Sequence, residues 1–137
     1  MNHIKRFFAI ALLLGSPLSE HLLGQGQNSS RKIVFHVTAV RQNDAEDYCT
    51  NANCSATRFT VEGYSNVSSD SRITEYMLEC VEVITNGPPA HRTMGCVRLH
   101  ANSDYTVELW DDSIAFPTSD SGFVANYKIK SEKTATK

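Results

Sequence analysis

The side chains of this chain that could do chemistry are its histidines, carboxylates, serines, cysteines and single tryptophan. His36, His91 and His100 lie in three separate segments, with neither H-x-H nor H-E-x-x-H spacing. A metal site would need them to converge in space, so no metal and no cofactor is expected. Glu75, Glu79 and Glu82 share one segment, the first two on one face of a strand. Paired carboxylates can work as acid and base, but a solvated strand face is the simpler account. Asp104, Glu108, Asp111, Asp112 and Asp120 make the carboxyl-terminal half acidic without a D-x-D-x-D-G calcium loop. Ser55, Ser103 and Ser113 fall outside any G-x-S-x-G elbow, and there is no Gly-rich phosphate loop. No catalytic set is assembled.

Two surfaces remain as candidates for binding. Tyr105, Val107 and Leu109 alternate onto one strand face, leaving Thr106, Glu108 and Trp110 on the other. With the first set inward, Trp110 stands beside Asp111 and Asp112, where an aromatic ring can stack on a sugar or anchor a protein. The alternative is that Trp110 only covers an edge of the domain. The second candidate is an apolar face made by Tyr76, Leu78 and Met94. It follows if Val81, Val83, Val97 and Leu99 point inward.

Cys49, Cys54, Cys80 and Cys96 form an even set, which in a small exported domain reads as two disulfides. A zinc ribbon would show paired C-x2-C knuckles, and these are absent. Cys80 and Cys96 are equidistant from Pro88 in Asn86-Gly87-Pro88-Pro89. A hairpin symmetric about Pro88 sets them opposite one another, within disulfide reach. Cys49 and Cys54 then close a small loop. A one-residue bulge would put the longer pair on opposite faces.

Export is read from the amino end. Lys5 and Arg6 precede the apolar run Phe7 to Leu14, and Gly15, Ser16 and Pro17 break it. This is the order of a secretory signal, here assigned to residues 1–24 with cleavage before Gln25. The run is interrupted by Glu20 and His21 before it reaches the ~20 residues of a transmembrane helix, and no later stretch is apolar enough to span. The expected product is secreted or periplasmic. Of the 137 residues, 41% are apolar and 20% charged, with net charge −2. That balance lacks the basic stripe of a nucleic-acid binder.

The elements that must position these groups are short strands. Ile33–Val40, Ala56–Tyr64, Ile73–Thr85, Thr93–Leu99, Tyr105–Trp110, Ile114–Phe116 and Phe123–Ile129 alternate or are β-branched, with turn-forming clusters between them. The domain is expected over 30–131, with 132–137 as a frayed tail. The expected class is all-β: a single antiparallel β-sandwich (Greek-key, immunoglobulin-like) or a small β-barrel.

Leu99-His100-Ala101-Asn102-Ser103-Asp104-Tyr105 has the spacing of Leu-x-Pro-Gly-x-x-Tyr and resembles the tyrosine corner of immunoglobulin-like sandwiches. Ala101 and Asn102 depart from its Pro and Gly. The resemblance implies a Tyr105 hydroxyl bonded to backbone a few residues upstream. The C-x4-C pair, the Glu75-to-Cys80 segment, the Cys96-to-Tyr105 segment and the terminal Tyr127-to-Lys133 segment together resemble uncharacterised short exported proteins of soil bacteria. That resemblance implies a compartment and no activity. The functional expectation is a non-catalytic binding or envelope-associated module with a protein or glycan partner. The alternative is a small secreted hydrolase using Glu and His residues from separate strands.

Overall fold

The computed structural model describes residues 29–66, 72–87, 91–118 and 124–136; the expected leader lies outside them. The chain forms β1 (Arg31–Asp44), β2 (Cys54–Asn66), β3 (Arg72–Thr85), β4 (His91–Met94), β5 (Ser103–Leu109), β6 (Ser113–Pro117) and β7 (Val124–Thr136). A single 3-10 turn, Glu46–Tyr48, follows β1. Alternation decides which way each strand faces. Phe35 and Val37, Phe59 and Val61, Val107 and Leu109, Ile114 and Phe116, and Ala125 and Tyr127 all enter one core. Phe116 is central to it, packing edge-on against Phe35, Tyr105 and Tyr127 at 5.8, 5.8 and 5.1 Å.

All pairings are antiparallel and close on themselves: β1 meets β2 and β5, β5 meets β6, β6 meets β7, β7 meets β3, and β3 returns to β2. The result is a six-strand barrel rather than the sandwich alternative. Closure leaves few free sheet edges. β4 is an addition, pairing only with Val83, Ile84 and Thr85 of β3. The β1–β2 register slips between Val37 and Ala39, a bulge that bends β1 over the core. Nearby, Gly63 lies against the Phe35 ring and the His36 carbonyl, where a Cβ would find no room. Glycine is there because the two strands approach so closely.

The residues from Gly95 to His100 belong to no ladder, yet Cys96 and Leu99 are buried in the core cluster. Six contacts tie this strap down. Cys96 is bonded to Cys80 with a Cα separation of 6.0 Å, and its N–H donates to Glu82 Oε2 at 3.4 Å. The Arg98 guanidinium donates to Glu82 Oε1 at 3.0 Å and lies 4.3 Å from the Phe59 ring centroid. The Tyr127 hydroxyl donates to the Val97 carbonyl at 2.7 Å. His100 N–H donates to the Tyr105 hydroxyl at 2.9 Å. Between those last two residues Asn102 takes φ = 60°, a left-handed conformation that Asn tolerates better than most side chains.

Three expectations need correction. The segment Thr93–Leu99 is not a strand partner over its length, since the ladder ends at Met94. The Pro88-centred register holds at Thr85↔His91 and Ile84↔Arg92, and then slips by one residue at Val83↔Met94. Cys80–Cys96 forms despite the slip because Cys96 has already left the ladder. The tail is not frayed as far as Thr136: Ser131 to Thr136 continue β7, opposite Met77 to Arg72.

Glu82 is only 3% exposed, so removing Arg98 would take one compensating charge from a buried carboxylate. Arg98 itself is half exposed, which tempers the cost. Arg98→Ala is expected to destabilise the fold by about 1–3 kcal/mol, with part recovered in Glu82→Gln/Arg98→Ala. Urea unfolding followed by circular dichroism measures both. Burial, with smaller contributions from Glu82 and Tyr105, pushes the Tyr127 hydroxyl well above the usual tyrosine value of 10, outweighing the opposing effect of Arg98. The folded state therefore holds the proton that the unfolded chain gives up. The associated stability is complete below about pH 10 and falls as pH rises beyond it. Thermal melts across that range should show a shallower alkaline decline in Tyr127→Phe.

Candidate functional site

The turn between β5 and β6 is short and firmly held. Trp110 N–H donates to the Ser113 carbonyl at 2.9 Å, leaving Asp111 and Asp112 as the two turn residues. Ile129 N–H donates to the Asp112 carbonyl at 2.8 Å, which ties the turn to β7. The Ser113 hydroxyl donates to Asp112 Oδ1 at 3.0 Å. With Val107 and Leu109 in the core, Glu108 and Trp110 take the outward face.

Beside this turn the outer surface of β5, β6 and β7 is concave. Glu108, Ala115 and Asn126 stand in one cross-strand row, and Ser113 pairs with Lys128 in the next. The middle residue is only an alanine, so the wall drops between its neighbours. The open groove so formed has a volume of about 810 Å³ and is bordered by Trp110, Asp111, Asp112 and Val124. Asp111, Asp112, Asn126 and Lys128 are exposed, whereas Trp110 is half-buried rather than fully exposed. Three carboxylates face one ammonium, giving an acidic surface with hydrogen-bond acceptors and donors on both sides of an indole.

Trp110 and Asp111 also border a smaller recess of about 320 Å³ at the barrel's end, with Ser29, Arg31, Tyr76 and Glu132 among its walls. Tyr76 is buried at the base of this recess. Its hydroxyl is raised above the usual range by burial and then by the Glu132 carboxylate, against lowering by Ser65 and Arg31. A neutral hydroxyl therefore faces the recess at ordinary pH.

The other residues singled out from the sequence are not gathered here. Cys49–Cys54 and Cys80–Cys96 are the two disulfides, the first closing the loop after the 3-10 turn with a Cα separation of 5.5 Å. Tyr76 and Leu78, expected on an outer apolar face, are buried at 4% and 0% exposure. They share Cys80's parity, and the pairing of Val61 with Leu78 and Phe59 with Cys80 sets that whole row inside. Met94 stands in β4 opposite Val83, but its side chain lies outside the described residues. The Tyr76/Leu78/Met94 face is thus not a binding surface; its first two members are core.

The described histidine and glutamate side chains are also dispersed. His36 Nδ1 lies 2.7 Å from Asp104 Oδ1, with the His36 ring 4.9 Å from that of Tyr64, in a cross-strand row on the outer wall. Glu79 meets Arg58 and Lys130 at 3.3 and 3.6 Å, while Glu82 is under the strap. Among the described residues no group of three His, Cys, Asp or Glu side chains is placed to hold a metal ion. No helix among the described residues is long and apolar enough to cross a membrane. Sequence reasoning placed Glu108 on the Trp110 face and Asp111 and Asp112 beside it, but missed Asn126 and Lys128 as their companions. Strand pairing brings these together, and no local pattern marks it.

The contrast between the two surfaces is measurable. Leu78→Ala should cost about 2–5 kcal/mol through a core cavity, whereas Trp110→Ala, at a half-buried position, should cost about 1 kcal/mol or less. Chemical denaturation followed by circular dichroism separates them. Comparison of the chain with protein-family models, curated proteins and solved structures found no match.

Proposed function

We propose that this protein is an exported, non-catalytic binding module that recognises its partner through the groove beside Trp110. The observation that carries the reading is the outer wall of β5–β6–β7. There a half-buried indole on a rigid turn borders a concave surface rich in polar side chains. Such sites hold their shape before the ligand arrives, which lowers the ordering cost of binding. The rest of the molecule suits a scaffold: a closed barrel, a packed core and two disulfides. Small domains with disulfides are typical of oxidising compartments, in keeping with the leader read from residues 1–24. The hydrolase reading draws no support from the Trp110 groove, the end recess or the groove beside Tyr64, since none of these three brings a histidine to a carboxylate pair.

Retention of the full chain on immobilised envelope polymers tests this reading. The wild type is expected to be retained and to elute with free polymer. Trp110→Ala and Asn126→Ala should lose retention, and Arg41→Ala, on the β1–β2 wall, should keep it. Equal retention of all variants, or of none including the wild type, would overturn the assignment.

A further inference from the structure

We infer that the Trp110 groove takes an uncharged, linear oligosaccharide whose chain crosses the indole from the groove into the end recess. This rests on the binding-module reading and adds the ligand class. Four observations lead to it.

Width is the first. Glu108, Ala115 and Asn126 are directly opposed across three adjacent strands. Strands lie about 4.8 Å apart, so the backbones that carry the two polar residues are about 10 Å apart, with only a methyl group on the strand between them. Hydrogen-bonding groups thus stand on either edge of the groove, spaced on the scale of a pyranose ring with its hydroxyls. Ala115 is 3% exposed and forms the floor.

Polarity is the second. The walls offer carboxylates, an amide, a hydroxyl and an ammonium, and the apolar area comes from the indole, the Ala115 methyl and Val124. Vicinal hydroxyls donate and accept at once, and carboxylate and amide planes bind them in pairs. The C–H face of a sugar stacks on an aromatic ring, which covers apolar area without demanding a deep pocket. A lipid or flat apolar ligand would leave these polar walls dry and unpaired.

Charge is the third. Glu108, Asp111 and Asp112 outnumber Lys128 in the groove, and Asp111 and Glu132 outnumber Arg31 in the recess. A polyanion is repelled. A strongly cationic peptide would gain from the carboxylates but must pass Lys128, paired with Ser113 on the groove wall. An uncharged polyol meets no such conflict.

Continuity is the fourth. Trp110 and Asp111 border both concavities. A ring stacked at Trp110 has a neighbour on each side, toward Ala115 and toward the Tyr76 hydroxyl. An open path of this kind suits a chain bound along its length, with affinity accumulating over successive units.

Trp110 is the sole tryptophan, so its emission reports occupancy directly. The full chain should be titrated with neutral linear tetrasaccharides of several linkages, and in parallel with a lysine-rich peptide and a sulfated oligosaccharide. A saturable emission change is expected with at least one neutral tetrasaccharide. Its affinity should fall by about tenfold or more in Ala115→Leu, which fills the slot from the solvent side, and in Asn126→Ala. Circular dichroism confirms that each variant folds. Saturable binding of the peptide or the sulfated probe alone, lost in Ala115→Leu, would leave the groove as the binding site and overturn the ligand class. Binding of a tetrasaccharide that Ala115→Leu does not weaken would overturn the slot. No saturable response from any probe, together with no retention on envelope polymers, would overturn both this inference and the binding-module reading.

Discussion

A carboxylate that faces the core is the constraint on which much of this structure depends. Strand β3 carries Tyr76, Leu78, Cys80 and Glu82 on one face, and a strand cannot send three of these inward and spare the fourth. Glu82 is consequently buried, and a buried carboxylate is stable only with charge and hydrogen bonds around it. The strap from Gly95 to His100 supplies both through Arg98 and the Cys96 N–H. The same strap carries the half-cystine that meets Cys80, two residues along the same face. The ion pair, the disulfide and the Tyr127–Val97 hydrogen bond thus act on one short segment that has no ladder to hold it.

That arrangement explains which parts of the fold are legible in the sequence. Six of the seven expected strands coincide with observed ones because their alternation, or their β-branched content, is strong over at least one turn-to-turn span. The Ala56–Tyr64 and Tyr105–Trp110 segments are examples, each with its apolar set on one parity. The β3 segment is legible as a strand, but the face it turns inward is the opposite of the one expected. Its two faces, Tyr76-Leu78-Cys80-Glu82 and Met77-Glu79-Val81-Val83, each mix apolar residues with a glutamate, so periodicity alone does not orient it. What decides it is distant: Arg98, far along the chain, makes the Glu82 side tolerable inside. The strap shows the converse. Its Cys and Leu are buried like those of a strand, but they are held by individual side-chain contacts, which leave no periodic trace.

The extent of β7 has a similar cause. Ser131, Glu132, Lys133 and Thr134 are polar and exposed, and composition reads the segment as loose. Their order comes from the β3 backbone, which presents a complementary edge from Met77 down to Arg72. Main-chain pairing does not require apolar side chains. It requires a partner, and β3 is long enough to serve β2 along one edge and both β7 and β4 along the other.

The difference in strand length also places the candidate site. β6 has five residues, while β7 beside it has thirteen and β5 on its other side has seven. Ile114 and Phe116 of β6 fill the core, leaving Ala115 as the outward residue between them. A strand this short, with an alanine at its centre, gives the barrel wall a hollow where a longer strand with larger outward side chains would give a ridge. The tight turn at Asp111 and Asp112 then stands Trp110 at the lower lip of that hollow, and its backbone bonds to Ser113 and Ile129 fix it there. Trp110, Asp111 and Asp112 are legible because they are adjacent in the chain. Glu108 follows from alternation along the same strand, whereas Asn126 and Lys128 are not legible, since only the β5–β6–β7 register sets them on the same surface. The hollow is therefore a product of core packing on one face of β6 read through to the other, and its rigidity is inherited from the barrel.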